Sequence, residues 1–162
     1  MMGLDRVGCT NDELAEKLES TRWAIDFSWK QLCGISEHME AYTVTKNTTI
    51  FEDSFKENTM GILVTGKLNI IKQEPGKDSV SIANILPSQS FGEMSLIDGE
   101  PRSARIVAST DAELLFLTKD ELFKLVDANP SLAFKLLWMI SYIMSQRLRK
   151  TSGGLLELLS RG

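Results

Sequence analysis

Between Ala41 and Leu117 the apolar residues fall in short, alternating, often β-branched runs, and helical patterning brackets that stretch on both sides. A period of two sends successive side chains to opposite faces, so each run must bury one face against a second layer. Gly61-Ile62-Leu63-Val64, Leu68-Asn69-Ile70-Ile71 and Val80-Ser81-Ile82 read as strands. Lys46-Asn47, Thr65-Gly66, Pro75-Gly76 and Thr110-Asp111 read as turns. A closed or sandwiched antiparallel sheet, a jelly roll of about eight strands, accommodates that number and spacing.

The flanks carry helix signals. Met1 to Thr10 reads as a loose start, and Thr10 with Glu13 has capping-box spacing, predicting a helix from Asn11 to Glu19. A second helix is predicted from Arg22 to Leu32, with Ile25 and Trp29 on one face and Gly34 ending it. After the last strand, Thr118 and Glu121 repeat the capping spacing, and Leu122, Phe123 and Val126 supply an apolar face. Pro130 suits a first helical turn, and the helix it opens is expected to reach Thr151 and to stop or hinge at Gly153-Gly154. The expected class is α+β, a single domain. Residues 1–38 form a helical extension, 39–118 the β-roll and 119–162 the C-terminal helices.

Composition narrows the function classes. A chain of 162 residues with a formal net charge of −4 supports one core and lacks the basic surplus of a non-specific nucleic-acid binder. Cys9 and Cys33 have no metal-site or disulfide-framework spacing, and His38 is the single histidine, so no metal, cofactor or catalytic centre is expected. Glu93 and Asp98 lack the nucleophile and base that a catalytic pair would need, and an enzyme is not expected. With no membrane-length apolar run and no leader-like N-terminus, the expected setting is the cytoplasm.

Chemistry concentrates in Phe91-Gly92-Glu93-Met94-Ser95-Leu96-Ile97-Asp98-Gly99-Glu100-Pro101-Arg102-Ser103-Ala104. Arg102 offers a planar fork of donors to an anion. Glycine at 92 lets backbone approach a ligand closely, and Glu93 can accept a hydroxyl proton or sit at a helix N-terminus. Arg102 could equally form a structural ion pair with Glu93 or Glu100.

This ungapped segment resembles the phosphate-binding cassette of the cyclic nucleotide-binding domain family, found in catabolite activator proteins, kinase regulatory subunits and gated channels. A weaker resemblance runs from Met39 to Ser152. It implies a β-roll binding cAMP, or alternatively cGMP, through Gly92, Glu93, Met94, Ser95, Arg102, Ser103 and Ala104. Arg102 would take the phosphate and Glu93 the ribose 2′-hydroxyl. Thr151 and Ser152 fall where catabolite activator proteins hydrogen-bond adenine, partly across a dimer. Arg147 and Arg149 could stack on the base or compensate a helix C-terminus. Ser54 and Ser88 stand at turns where the family often has glycine, and Gly61 stands where it is usually bulky. A transcription factor would continue into a helix-turn-helix of roughly seventy residues; none follows here, so a stand-alone sensor with an unidentified effector protein is expected. Its likeness to dimeric relatives and the stripe Leu136, Ile140, Ile143, Met144 and Leu148 suggest a homodimer, although half of that stripe could equally pack on the protein's own β-roll; Leu155, Leu156, Leu158 and Leu159 are also short of cover. The other class left open is an interaction module that keeps the fold without the ligand.

Overall fold

Leu114-Leu115-Phe116-Leu117 is apolar at every position because its strand is covered on both faces. The computed structural model describes residues 3–72 and 79–160, apart from the side chains of 157 and 158. In chain order the elements are β1 (Leu4–Val7), α1 (Asn11–Glu19), a 3-10 turn (Arg22–Asp26), α2 (Trp29–Ser36), β2 (Glu40–Val44), β3 (Thr49–Phe51), β4 (Thr59–Thr65), β5 (Leu68–Lys72), β6 (Val80–Ile85), β7 (Ser90–Phe91), α3 (Glu93–Asp98), β8 (Arg105–Ala108), β9 (Ala112–Thr118), α4 (Lys119–Ala128) and α5 (Pro130–Ser160). The strands form a five-stranded sheet, β1-β2-β9-β4-β7, and a four-stranded sheet, β3-β8-β5-β6. Every pairing is antiparallel. The fold is the expected α+β roll with flanking helices. The Pro75-Gly76 turn lies outside the described residues.

The β-period divides the interior. Leu63 on β4 and Leu114 and Phe116 on β9 point between the sheets, where they join Phe51, Leu68, Phe91 and Ile106. Met60, Ile62, Leu115 and Leu117 point the other way, onto Leu18, Leu32, Leu125, Leu136 and Ile140 of the helices. One sheet therefore belongs to two cores, and the roll interior and the helical layer share its thickness.

The ends depart from their local signals in four places. Leu4–Val7, in the stretch that reads as loose, is a strand paired with β2 in the register Leu4↔Val44 to Val7↔Ala41. The segment from Arg22 is a 3-10 turn followed by a separate helix, which Ser28 and Gln31 start with a reciprocal capping box. Gly34 does not end that helix. It lies inside it because a Cβ there would come within 2.9 Å of Leu132 Cδ2, so glycine permits the contact of α2 with α5. Helix α5 runs through Gly153-Gly154 to Ser160; each glycine weakens a helix by about 1 kcal/mol without forbidding it.

On α5 most of the apolar stripe takes the alternative of packing on the protein's own core. Leu136 and Ile140 are buried in the protein's own core, Ile143 and Met144 pack partly against it, and only Leu148 is exposed. Thr118 does cap α4 through the Glu121 N–H at 3.2 Å, but the Glu121 carboxylate turns to His38 Nδ1 at 3.1 Å and to Lys124 instead of closing the box. Among the described residues no helix is long and apolar enough to cross a membrane.

Gly61 explains how the roll closes near the cassette. A Cβ there would sit 2.3 Å from Phe91 Cζ, so the ring of Phe91 occupies the room a side chain would take. Gly61→Val should lower stability by roughly 1–3 kcal/mol through overpacking, read as a lower midpoint in thermal or urea unfolding. Phe91→Leu in the same chain should restore part of that loss.

Candidate functional site

The cassette is fixed at both ends before any ligand is considered. At its start, Phe91 packs its ring against Phe51 and Phe116, at centroid distances of 5.5 and 6.1 Å. The chain then turns at Gly92, whose φ of +75° suits glycine. A Cβ there would lie 2.5 Å from Arg102 Nη1 and 2.8 Å from Thr59 O, so position 92 must be bare for the arginine to fit. Helix α3 follows and ends at Gly99, again left-handed with φ of +72°. The returning strand is then stitched to the β3–β4 loop: Ser54 N–H donates to Arg102 O at 2.9 Å, and Arg102 N–H donates to Phe55 O at 3.0 Å. Ser54 and Ser88 adopt φ of +63° and +70°, left-handed conformations where glycine would be relaxed.

Arg102 is 5% exposed. Its guanidinium carbon lies 3.7 Å from the centroid of the Phe51 ring, and Nη1 and Nη2 donate to Gly92 O at 3.0 Å and Thr59 O at 2.6 Å. Burial lowers its pKa to about 10, partly offset by the nearby carboxylates of Glu57 and Glu93. It therefore stays charged at neutral pH. No ion pair joins it to Glu93 or Glu100; backbone carbonyls take those donors instead.

Glu93 is 4% exposed, at the first position of α3. Its Oε1 accepts from Arg147 Nη1, and Arg147 Nη2 also reaches the carbonyl of Ser90. Because α5 extends to Ser160, Arg147 sits in the helix interior and its charge serves the cassette, not a helix terminus. Two buried side-chain atoms among the described residues have no hydrogen-bond partner: Glu93 Oε2 and Arg102 Nε. One is an acceptor and the other a charged donor. Both residues line the same cavity of about 800 Å³, walled by the cassette, the inner faces of β5 and β6, and α5.

Gly92, Glu93, Met94, Ser95, Arg102, Ser103, Ala104 and Thr151 all line this cavity, whereas Ser152 does not. The Thr151 hydroxyl donates to Arg147 O at 3.0 Å, within its own helix. Phe51, Ile70, Ala83, Asn84, Ile85, Gln89, Ser90, Phe91, Ile106, Gln146, Arg147 and Lys150 complete the wall. Apart from Phe91 and the α5 residues, these carry no local motif. Ile70 and Ile85 stand out only as apolar strand positions, and Ala83 and Asn84 not at all, because on β6 the apolar alternation falls on Val80 and Ile82, which are exposed.

The sequence profile of the family described as "Cyclic nucleotide-binding domain" matches residues 42–129. The "CRP-like cAMP-activated global transcriptional regulator" of Mycobacterium tuberculosis is 22% identical over 128 residues, covering 79% of this chain and 55% of that protein. The "Cyclic AMP receptor protein" of Thermus thermophilus is 33% identical over 89 residues, covering 55% of this chain and 39% of its own length. The match thus spans about half, or less, of these relatives. A solved cyclic nucleotide-binding domain from Methylobacillus flagellatus superposes with a TM-score of 0.82 at 27% identity, covering 95% of this chain and 88% of that one. With the profile spanning most of the roll and α4, the chain belongs to the cyclic nucleotide-binding domain family.

Proposed function

We propose that this chain senses a cyclic nucleotide, cAMP in preference to cGMP, and passes the state of its pocket through α5 to a second copy or an effector protein. The observation that carries the reading is the orphaned pair, Glu93 Oε2 and Arg102 Nε, buried on one cavity. Leaving either unmet costs about 1–3 kcal/mol, more for a charged group. A cyclic nucleotide supplies both missing partners, a phosphate oxygen for the donor and a ribose 2′-hydroxyl for the acceptor. Gly92, Ser95, Ser103 and Ala104 would bring backbone amides to the phosphate, with Met94 at the rim. Thr151 would approach the purine by releasing its bond to Arg147 O. Ser152 would reach it only from a second copy or after α5 moves. The names of the relatives, a cAMP-activated regulator and a cyclic AMP receptor protein, support adenine over guanine.

Arg147 gives the pocket a route outward, because it bonds the carboxylate that would hold the ribose and belongs to α5. Beyond Met144 the described side chains of that helix are exposed. Phe134, Trp138, Leu148, Leu155 and Leu159 are exposed large apolar residues from 56% to 70%. With Ser141, Ser145 and Ser152 they recur at alternating steps of four and three, the seam of a two-stranded coiled coil. A second copy packed along this seam would cover it. Leu158 lies outside the described side chains.

Isothermal titration should show heat with cAMP, weaker binding of cGMP, and about tenfold or greater weakening for 2′-deoxy-cAMP. Arg102→Ala and Arg102→Lys should each weaken binding by about 100-fold or more while keeping the native circular dichroism spectrum. No heat with either nucleotide in the parent chain would reject the sensor and favour the ligand-independent module. Affinity should be flat from about pH 6 to pH 9, because Arg102 and the phosphodiester both keep their charge, and should fall only as the pH passes about 10. In sedimentation equilibrium the parent chain should be dimeric, and Leu148→Asp with Leu155→Asp should make it monomeric. A monomeric parent chain would remove the seam assignment.

A further inference from the structure

Lys72 lies at the end of β5 and outside the cavity wall, yet its Nζ donates to the carbonyl of Ser103, inside the cassette. The same ammonium meets Asp53 Oδ2 at 3.3 Å, and Asp53 adjoins the Ser54–Phe55 loop that stitches the backbone of Arg102. In a trans peptide the C=O and the following N–H point in opposite directions across a rigid plane. Among the described residues there is no cis peptide. The Ser103 carbonyl is held on Lys72, which is not among the residues that wall the cavity, so the Ala104 N–H points the opposite way across the peptide plane, and Ala104 itself lines the cavity.

We infer that Lys72, braced by Asp53, is a positioning residue for the phosphate subsite: it sets the plane of the Ser103–Ala104 peptide so that the Ala104 N–H is aimed before a ligand arrives. This rests on the cyclic nucleotide reading for its ligand, but the peptide geometry exists without one. A donor aimed in advance costs nothing to reorient on binding, which is where a fixed hydrogen bond to an anion gains its strength. Lys72 is exposed, so its charge alone would be screened by salt, whereas its effect on the peptide plane would not.

The test compares Lys72→Met and Lys72→Arg with the parent chain. In the ligand-free protein, ¹⁵N relaxation should show the Ala104 amide rigid in the parent and in Lys72→Arg, and looser in Lys72→Met. An unchanged Ala104 in Lys72→Met overturns the proposal. With cAMP, Lys72→Met should bind about tenfold more weakly in both low and high salt, and Lys72→Arg should stay within about twofold of the parent. A loss that disappears in high salt assigns Lys72 to bare charge attraction and also overturns it. If the parent chain takes up no cAMP, the sensor reading fails, and the ligand-free relaxation still decides the role of Lys72.

Discussion

A guanidinium kept charged inside the protein governs much of what surrounds it. Arg102 lies on the ring of Phe51 and spends donors on the carbonyls of residues 59 and 92. Those acceptors become available only because position 92 has no side chain and turns left-handed. Phe91 must then anchor the turn, and Gly61 must make room for Phe91. The cost of withholding a charge from water is visible in the lowered pKa of the group. An anion bound beside it would offset that cost.

The shared sheet determines how such an improvement could travel. Neighbouring residues of β4 and β9 serve opposite cores, so a shift on the cassette side meets side chains whose neighbours in sequence hold α4 and α5. The Arg147–Glu93 bond adds a direct tether between α5 and the cassette in the cavity wall. Packed interiors deform little, and movement is easier where the packing stops. On α5 that boundary lies near Met144, with Arg147 one turn beyond it.

What could be read from sequence follows from how locally each feature is determined. The roll was legible because alternation and turn residues act over a few positions, and the cassette because its residues are contiguous from 91 to 104. Arg147 was legible only as a residue that could stack on the base or compensate a helix C-terminus, not as the partner of Glu93, and Lys72 was not legible at all. Each is distant along the chain from the group it bonds, and a lone basic residue on a helix or strand end carries no signal of its target. Strand β1 escaped notice because four residues containing Asp5-Arg6 have little strand character until β2 pairs with them. Gly34 misled for a related reason. Local propensity treats it as a stop, whereas the close approach of Leu132 is a tertiary fact.

The last turns of α5 have a further consequence. From Thr151 to Ser160 the helix includes two adjacent glycines, and its described side chains are exposed. A free helix of that length and composition is marginal in water. Continuing α5 spares these turns the nucleation cost, so they are the part of the helix that frays first and gains most from any cover. If a second copy supplies that cover, the degree of coiling would vary with protein concentration, which far-ultraviolet dichroism could follow by dilution alone.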